Sequence, residues 1–513
     1  MVLSEQNSFG ITACGTVAAI GQAKRKPGLG GGADPLLPPD DERPSDRRSS
    51  ILEALAFVLP MAAATEPDTT APVSAPRNRA VCSLLFWIKA CAAVLLLLGA
   101  MALLSYNVWR LHRNAILGLN NPIIIVPGSE SCTYKNNGLA RLEPPVQRLM
   151  YGFALDWKND TPSAISQRLN KIAPAVVNAW IRFDNNGFNG QSTSDINWFG
   201  YETSLLGRGT MLELTMLPIV EMSTLTTATL TNIAQICADI NSKYAVPILL
   251  RFGHEMNGNW EPYGQRPSAY VTGFRNMGTI LRKYTNLTAM VWAPNIGTFY
   301  PYAVSSSQQL PPAGSVDFRL LDTNSDGVID AADDPYGPYY PGDDVIDWVG
   351  LSLYWYPETG VSSVPRPSTY VHDSILAAGP SITPLVSANF NATLHNFYNR
   401  FALGKNKPMC FPESGAPYIR NSTTTNVVEE LEVKQTWWQQ VLSPSNLAAF
   451  PKFKLAINFE ESKVQDSYIQ DWAQTFNPIV RNAFINDLTT KYKDSLIWGG
   501  SMDFACDGSV AMT

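Results

Sequence analysis

The chain has 513 residues, with 38 Lys and Arg against 44 Asp and Glu, a length that accommodates two or three domains or one large barrel with appendages. The mildly acidic balance argues against a nucleic-acid partner. Hydrophobic residues make up 45% of the chain but are unevenly spread, and that unevenness divides it into segments.

Residues 1–80 are rich in Pro, Gly, Ala, Ser and mixed charge, as in GLGGGADPLLPPDDERPSDRRSS, and bury too little apolar surface to offset chain entropy. They are expected to form a disordered cytosolic tail, with a transient helix at 51–64. Residues 81–109 are almost continuously apolar, and Lys89 is their only charge. From Ala90 to Trp109 the run is long enough to cross a hydrocarbon core of ~30 Å, with Lys89 at one face and Tyr106 and Trp109 at the other. It starts too far from the first residue for a cleaved secretory signal, so the choice lies between a transmembrane signal-anchor, which we expect, and a buried helix. Arg77, Arg79 and Lys89 on one side and Arg110 and Arg113 on the other leave orientation open. Glycosylation sequons at Asn159, Asn286, Asn391 and Asn421 all follow the span. They favour a single-pass type II membrane protein, in the secretory pathway or at the cell surface, with its large domain lumenal or extracellular. Cys132, Cys237, Cys410 and Cys506 belong to that domain. A disulfide between Cys132 and Cys506 would tie its ends together, whereas Cys410 falls in a core strand as a buried thiol.

After a stalk at 110–140, residues 141–513 carry apolar runs at a steady interval. In chain order these are MYGFALDW (150–157), VVNAWIRFD (176–184), MLELTMLPIV (211–220), VPILLRFGHE (246–255), AMVWAPN (289–295), VIDWVGLSLYW (345–355), PMCFPESG (408–415) and LAINFE (455–460). Helix-like segments lie between most of them, for instance 229–243, 268–284 and 432–442. The runs are continuous rather than alternating, as expected of strands buried on both faces. Eight β-then-α units predict the α/β class and a (β/α)8 TIM barrel, preceded by the disordered tail and one transmembrane helix. A doubly wound sheet is the alternative, but no glycine-rich turn follows the first strand.

Barrel chemistry gathers where strands end, and there the chain places Glu255, Tyr354 and Glu413, at the fourth, sixth and seventh runs. The stretch LLRFGHEMNGNWEPYG (249–264) joins a carboxyl, a histidine and aromatic faces, the ingredients of a sugar-cleaving site. Together with PESG three strands later, RFGHEMNGNW resembles glycoside hydrolase family 26, the group containing β-1,4-mannanases, over roughly 150–498. The resemblance implies a retaining glycosidase in which Glu255 is the acid/base and Glu413 the nucleophile. It further implies that His254 contacts sugar hydroxyls, that Tyr354 hydrogen-bonds the nucleophile, and that Trp260 and Trp292 are sugar platforms; Asn257, beside Trp260, is grouped with the substrate contacts. The expected partner is a polysaccharide, β-mannan or a related β-glycan, and the chemistry needs no cofactor. Plainer readings exist: a carboxylate paired structurally with Arg251 or Lys463, or Trp292 as barrel filler. Asp156, Trp157 and Glu221 do not map onto the family pattern, which leaves mixed-linkage glucan and xylan open as substrates. A non-catalytic carbohydrate-binding or wall-anchoring barrel is the rival from another class, and a transglycosylase a third option.

Between the fifth and sixth runs, DTNSDGVIDAAD (322–333) has the spacing of an EF-hand-type loop. Asp322, Asn324, Asp326, the carbonyl of Val328, Asp330 and Asp333 would hold a structural calcium ion, with Gly327 at the turn.

Overall fold

The computed structural model describes residues 132–134, 137–302, 310–355, 367–420, 428–465 and 468–513, together with parts of 92–108. The tail expected at 1–80 lies outside the described residues, as does most of the stalk. The described positions within 92–108 are helical and exposed, Val94, Leu95, Leu97, Met101, Leu104 and Val108 among them. Among the described residues no helix is long and apolar enough to cross a membrane, and much of the span expected at 81–109 falls outside them.

Eight parallel strands close into a barrel: β1 (Leu149–Leu155), β2 (Val176–Phe183), β3 (Met211–Pro218), β4 (Ile248–Phe252), β5 (Thr288–Trp292), β6 (Trp348–Gly350), β7 (Met409–Gly415) and β8 (Phe453–Glu460). Each pairs with the next, and β8 pairs back onto β1, with Met150 opposite Leu455 and Leu155 opposite Glu460. Period-two alternation sends one set of side chains outward against the helices and the other inward. On β3, for example, Leu212, Leu214 and Met216 join the outer core, whereas Met211 joins the inner one. The interior changes character along the strands. Near their starts it is apolar, built from Met150, Val176, Met211, Leu249, Trp348, Cys410 and Leu455. Farther along it holds buried polar groups, including Asn178, Glu213, Thr215, Arg251 and Asn458. That polar layer is the floor of the site.

Helix starts follow the local chemistry. Thr161, Ser192 and Thr226 cap Pro162–Arg168, Thr193–Ser204 and Thr227–Tyr244, and Ser192 forms a reciprocal capping box with Asp195. After β8 a hairpin, Ser462–Gln465 with Tyr468–Asp471, stands over the barrel rim and pairs with Tyr418–Ile419. At the opposite end Cys132 and Cys506 form a disulfide that closes a separation of 374 residues. Nearby, Leu142 N–H donates to the Gly508 carbonyl, within the turn of a hairpin made by Met502–Phe504 and Val510–Met512. Cys237 and Cys410 are free and buried. Of the sequon asparagines, Asn159 is exposed, Asn286 donates to the Cys132 carbonyl at 2.6 Å, Asn391 caps a short helix, and Asn421 lies outside the described residues.

Candidate active site

The end of β4 carries two residues in left-handed backbone, Gly253 at φ 63° and Glu255 at φ 49°. Gly253 meets the first requirement without strain, and a Cβ there would stand 2.3 Å from Met222 Cε. For Glu255 the conformation is costly, and such strain persists only where surrounding contacts fix it. Here the Glu255 N–H donates to the Ala293 carbonyl at 2.9 Å, tying the turn to the end of β5.

Four strand ends converge on two carboxyl groups. Arg251, fully buried inside the barrel, donates from Nη1 to Glu413 Oε2 at 2.7 Å and from Nη2 to Ser352 Oγ at 2.6 Å. Tyr354 donates its hydroxyl to the other Glu413 oxygen at 2.7 Å. Glu255 Oε1 accepts from Asn295 Nδ2 at 2.9 Å. His254 Nε2 stands 3.9 Å from Glu255 Oε2. Burial, then the charge of Glu413, push the Glu255 carboxyl up to about 7, against the opposing pull of Arg251 and its hydrogen bonds. Burial and the charges of Arg251 and Arg182 hold His254 well below its usual value, so it is neutral. The Tyr263 hydroxyl donates to the His254 carbonyl and meets His254 Nδ1, each at 3.0 Å. A hydroxyl already donating must accept from Nδ1–H, which leaves Nε2 as an acceptor. Trp180 packs edge-on against the imidazole at 5.3 Å. The arrangement sets a carboxyl that keeps a proton near neutrality beside one whose two oxygens accept from an arginine and a tyrosine, which suits acid-assisted displacement at a sugar carbon.

Residues 151–365 match the family model for glycosyl hydrolase family 26. Over that stretch the barrel is similar to that family. The matched stretch contains Glu255 and Tyr354; Glu413 lies beyond its end. Solved structures of family 26 enzymes are among those this chain is similar to, at low identity. A β-mannanase from Bacteroides ovatus is 14% identical, with a TM-score of 0.43 over 70% of this chain and 92% of its own. An endo-β-1,4-mannanase catalytic domain from Bacillus sp. is 13% identical, with a TM-score of 0.42 over 68% of this chain and 87% of its own. A β-(1,4)-mannanase from Podospora anserina is 13% identical, with a TM-score of 0.35 over 74% and 68%. No curated protein matches significantly.

Not every residue expected at the family 26 site reaches it. Trp292, expected as a sugar platform, is fully buried outside the barrel, stacked 5.9 Å from Phe397 and against Tyr340 and Phe401. Its neighbour Val291 takes the inward place, so parity sends the indole into the helix layer. Asn257 is also fully buried; its amide group donates to the Asn295 carbonyl and Tyr302 and accepts from Asn295 N–H. Those bonds occupy it in holding the loop after β5, not substrate. Trp260 is half-buried, 5.0 Å edge-on from Tyr302, and lies so close over Gly258 that a Cβ there would stand 2.3 Å from its ring. Trp355 faces outward against Tyr370, leaving Tyr354 at the site; Tyr356 lies outside the described residues. Tyr263, expected with Trp260 as an aromatic face for sugar rings, is instead buried and hydrogen-bonded to His254. Sequence reasoning missed Asn295, Ser352 and Trp180. For Asn295 and Ser352 a signal existed, since each is a polar residue toward the end of an apolar run.

The 322–333 loop closes on its own amides. Asp322 accepts from the N–H groups of Asp326 and Gly327, Asn324 from Asp326, Asp326 from Val328, and Asp330 from Ala332. Asp333, fully buried, accepts from the Thr323, Asn324 and Asp330 N–H groups and from the Thr323 hydroxyl. Among the described residues, no group of three or more His, Cys, Asp or Glu is close enough to hold a metal ion. The convergent carboxylates expected from the spacing are not formed, because Asp333 is turned under the loop.

Proposed function

We propose that this glycoside hydrolase is a retaining endo-β-glycosidase acting on β-mannan by double displacement. Glu413 attacks the anomeric carbon while Glu255 gives its proton to the departing glycosidic oxygen. Water then replaces Glu413 at that carbon and passes a proton to Glu255. The observation that carries this reading is the contrast between the two carboxyls. Glu413 accepts from a guanidinium and a tyrosine, whereas Glu255 accepts from Asn295 in a dry setting that raises it to about 7. Substrate choice rests on the family and on the mannanase activity of its solved members, with Trp260 as a rim surface for a sugar ring.

The test is hydrolysis of a defined β-1,4-mannooligosaccharide followed by NMR of the first-formed anomer. A β-anomer product, lost in Glu413→Ala by about 10³-fold or more, is expected. An α-anomer product, or equal release of reducing ends by the variant, refutes the mechanism. Faster turnover of mixed-linkage glucan or xylan reassigns the substrate. A secretory-pathway location is supported by the Cys132–Cys506 bridge, which needs an oxidising compartment. The membrane anchor rests on the apolar run at 81–109 alone.

A further inference from the structure

The strained turn after β4 is built against the end of β5, and a side chain completes the pairing where backbone does not. β4 and β5 run parallel up to Arg251 opposite Val291, after which the chain turns away at Gly253. Beyond that point the Glu255 N–H still donates to the Ala293 carbonyl at 2.9 Å. Asn295 comes next along the β5 path, and its backbone meets the Asn257 amide instead of a peptide group. Asn257 Oδ1 accepts from the Asn295 N–H at 2.8 Å, and Nδ2 donates to the Asn295 carbonyl at 2.9 Å. The second Nδ2 hydrogen goes to the Tyr302 hydroxyl at 3.1 Å, so both amide hydrogens of this buried side chain are engaged. On the other flank the Ser352 N–H donates to the Pro294 carbonyl at 3.0 Å, and the Ile296 N–H donates to the Ser352 carbonyl at 3.1 Å. Asn295 is thus gripped from both sides. Parity with Val291 and Ala293 turns its side chain inward, where Nδ2 donates to Glu255 Oε1 at 2.9 Å.

We propose that Asn257 and Asn295 are positioning residues acting in series: Asn257 fixes Asn295, and Asn295 holds Glu255 Oε1, leaving Oε2 as the oxygen that delivers the proton. The proposal rests on the assignment of Glu255 as acid/base. Oε1, already accepting from an amide, is the carbonyl end of the acid, so the hydrogen sits on Oε2. Oε2 lies on the His254 side, 3.9 Å from Nε2. In the first step the Oε2 proton passes to the glycosidic oxygen, which leaves the anomeric carbon with the bonding electrons as Glu413 bonds to that carbon. In the second, the water oxygen bonds to the carbon, the bond to Glu413 breaks with its electrons returning to Glu413, and the water proton goes to Oε2. An acid held off line costs most where the leaving group depends on its proton. A donor on Oε1 also favours the ionised carboxylate. Several other groups bear on Glu255. Arg251 and His254 come from the end of β4, Tyr263 from the loop after it, Tyr302 from the loop after β5, Glu413 from β7, and Lys463 from the hairpin after β8. All of these are shared by wild type and variants, so a shifted pH profile reports Asn295.

The experiment compares wild type, Asn295→Ala, Asn257→Ala and the double variant on two substrates, with circular dichroism and thermal unfolding to verify folding. One is a mannooligosaccharide, whose leaving group needs the proton of Glu255. The other is a β-mannoside of a dinitrophenol, which leaves unaided. Asn295→Ala should lower kcat/KM on the oligosaccharide by about 10–100-fold and on the aryl mannoside by about threefold or less. On the oligosaccharide the basic limb of its pH profile should move up by about one unit. Asn257→Ala should follow the same pattern, and the double variant should lose no more than about twofold beyond Asn295→Ala. Additive losses would mean that Asn257 does not act through Asn295. Equal losses on both substrates with an unmoved profile would reduce the pair to structural props. Either result overturns the proposal, as would an unaffected Asn295→Ala. Asn295→Ala keeps the backbone that Asn257 grips, so it decides the case alone if Asn257→Ala does not fold. Equal losses for Glu255→Gln on the two substrates would remove the acid assignment itself, a result read without touching either asparagine.

Discussion

Glu213 is a carboxyl that the reaction does not use, fully buried inside the barrel two residues before Thr215, the partner of Arg251 in the β3–β4 register. Its Oε2 accepts from Asn178 Nδ2 at 2.6 Å, and among the described residues its Oε1 has no hydrogen-bond partner. Burial outweighs the opposing charge of Arg251 and raises this carboxyl from 4.5 to about 8. The folded protein therefore keeps a proton that the unfolded chain releases, so stability is full below about 4.5 and is lost as pH climbs through about 8. Each pH unit between these limits removes about 1.4 kcal/mol, so between pH 5 and pH 8 the loss due to Glu213 is roughly 3–4 kcal/mol. Glu213→Gln keeps an oxygen for Asn178 but cannot ionise, and should escape that loss. Urea unfolding of both proteins at several pH values should show the variant's advantage growing from near zero at pH 5 to several kcal/mol at pH 8. Other carboxyls titrate in both proteins and cancel in the difference. An advantage of the same size at every pH would refute the reasoning, since a pure packing effect has no proton dependence.

Glu255 should set the basic limb of activity. With its carboxyl raised to about 7, polysaccharide hydrolysis should decline above that pH as the acid form is lost. Glu255→Gln should lose about 10²–10⁴-fold on polysaccharide but far less, in bond cleavage, on an aryl glycoside with an acidic phenol; equal losses on both would contradict the assignment. We also propose that the 322–333 loop still takes calcium. The Asp322 oxygens and Asp333 Oδ2 each accept a single N–H and retain a lone pair, so ion–oxygen contacts can be added by a small turn of the loop. Thermal unfolding should then rise by several degrees in calcium relative to chelator, and identical curves would remove the ion.

Most of the barrel was legible because strands buried on both faces need continuous apolar runs, and all eight strands fall within or beside the runs read from sequence. The expected strand at 345–355 is the exception in detail: β6 covers only Trp348–Gly350, and Leu353–Tyr354 forms a separate short strand against β7. The chain leaves the sheet between them for the Asn295–Ser352 bridge, which no apolar pattern encodes. The structure brings Glu255, Glu413, His254 and Tyr354 together, and their motifs at strand ends had pointed to one another. What sequence did not disclose was register. Trp292 and Val291 are both apolar, and only pairing with β4, where Val291 lies opposite Arg251, decides which faces inward. Glu213, Asn178 and Thr215 interrupt apolar strands and read as blemishes until closure stacks them beneath Arg251.

The Cys132–Cys506 bridge lies at the end of the barrel where strands begin, since Asn286, two residues before β5, hydrogen-bonds the Cys132 carbonyl. Both ends of the folded domain are thus gathered on the face remote from the catalytic mouth, and a long glycan strand drawn across that mouth meets neither. A protein or surface linker joined after Thr513 should accordingly leave the glycan's approach clear, making that end the natural handle for immobilising the enzyme.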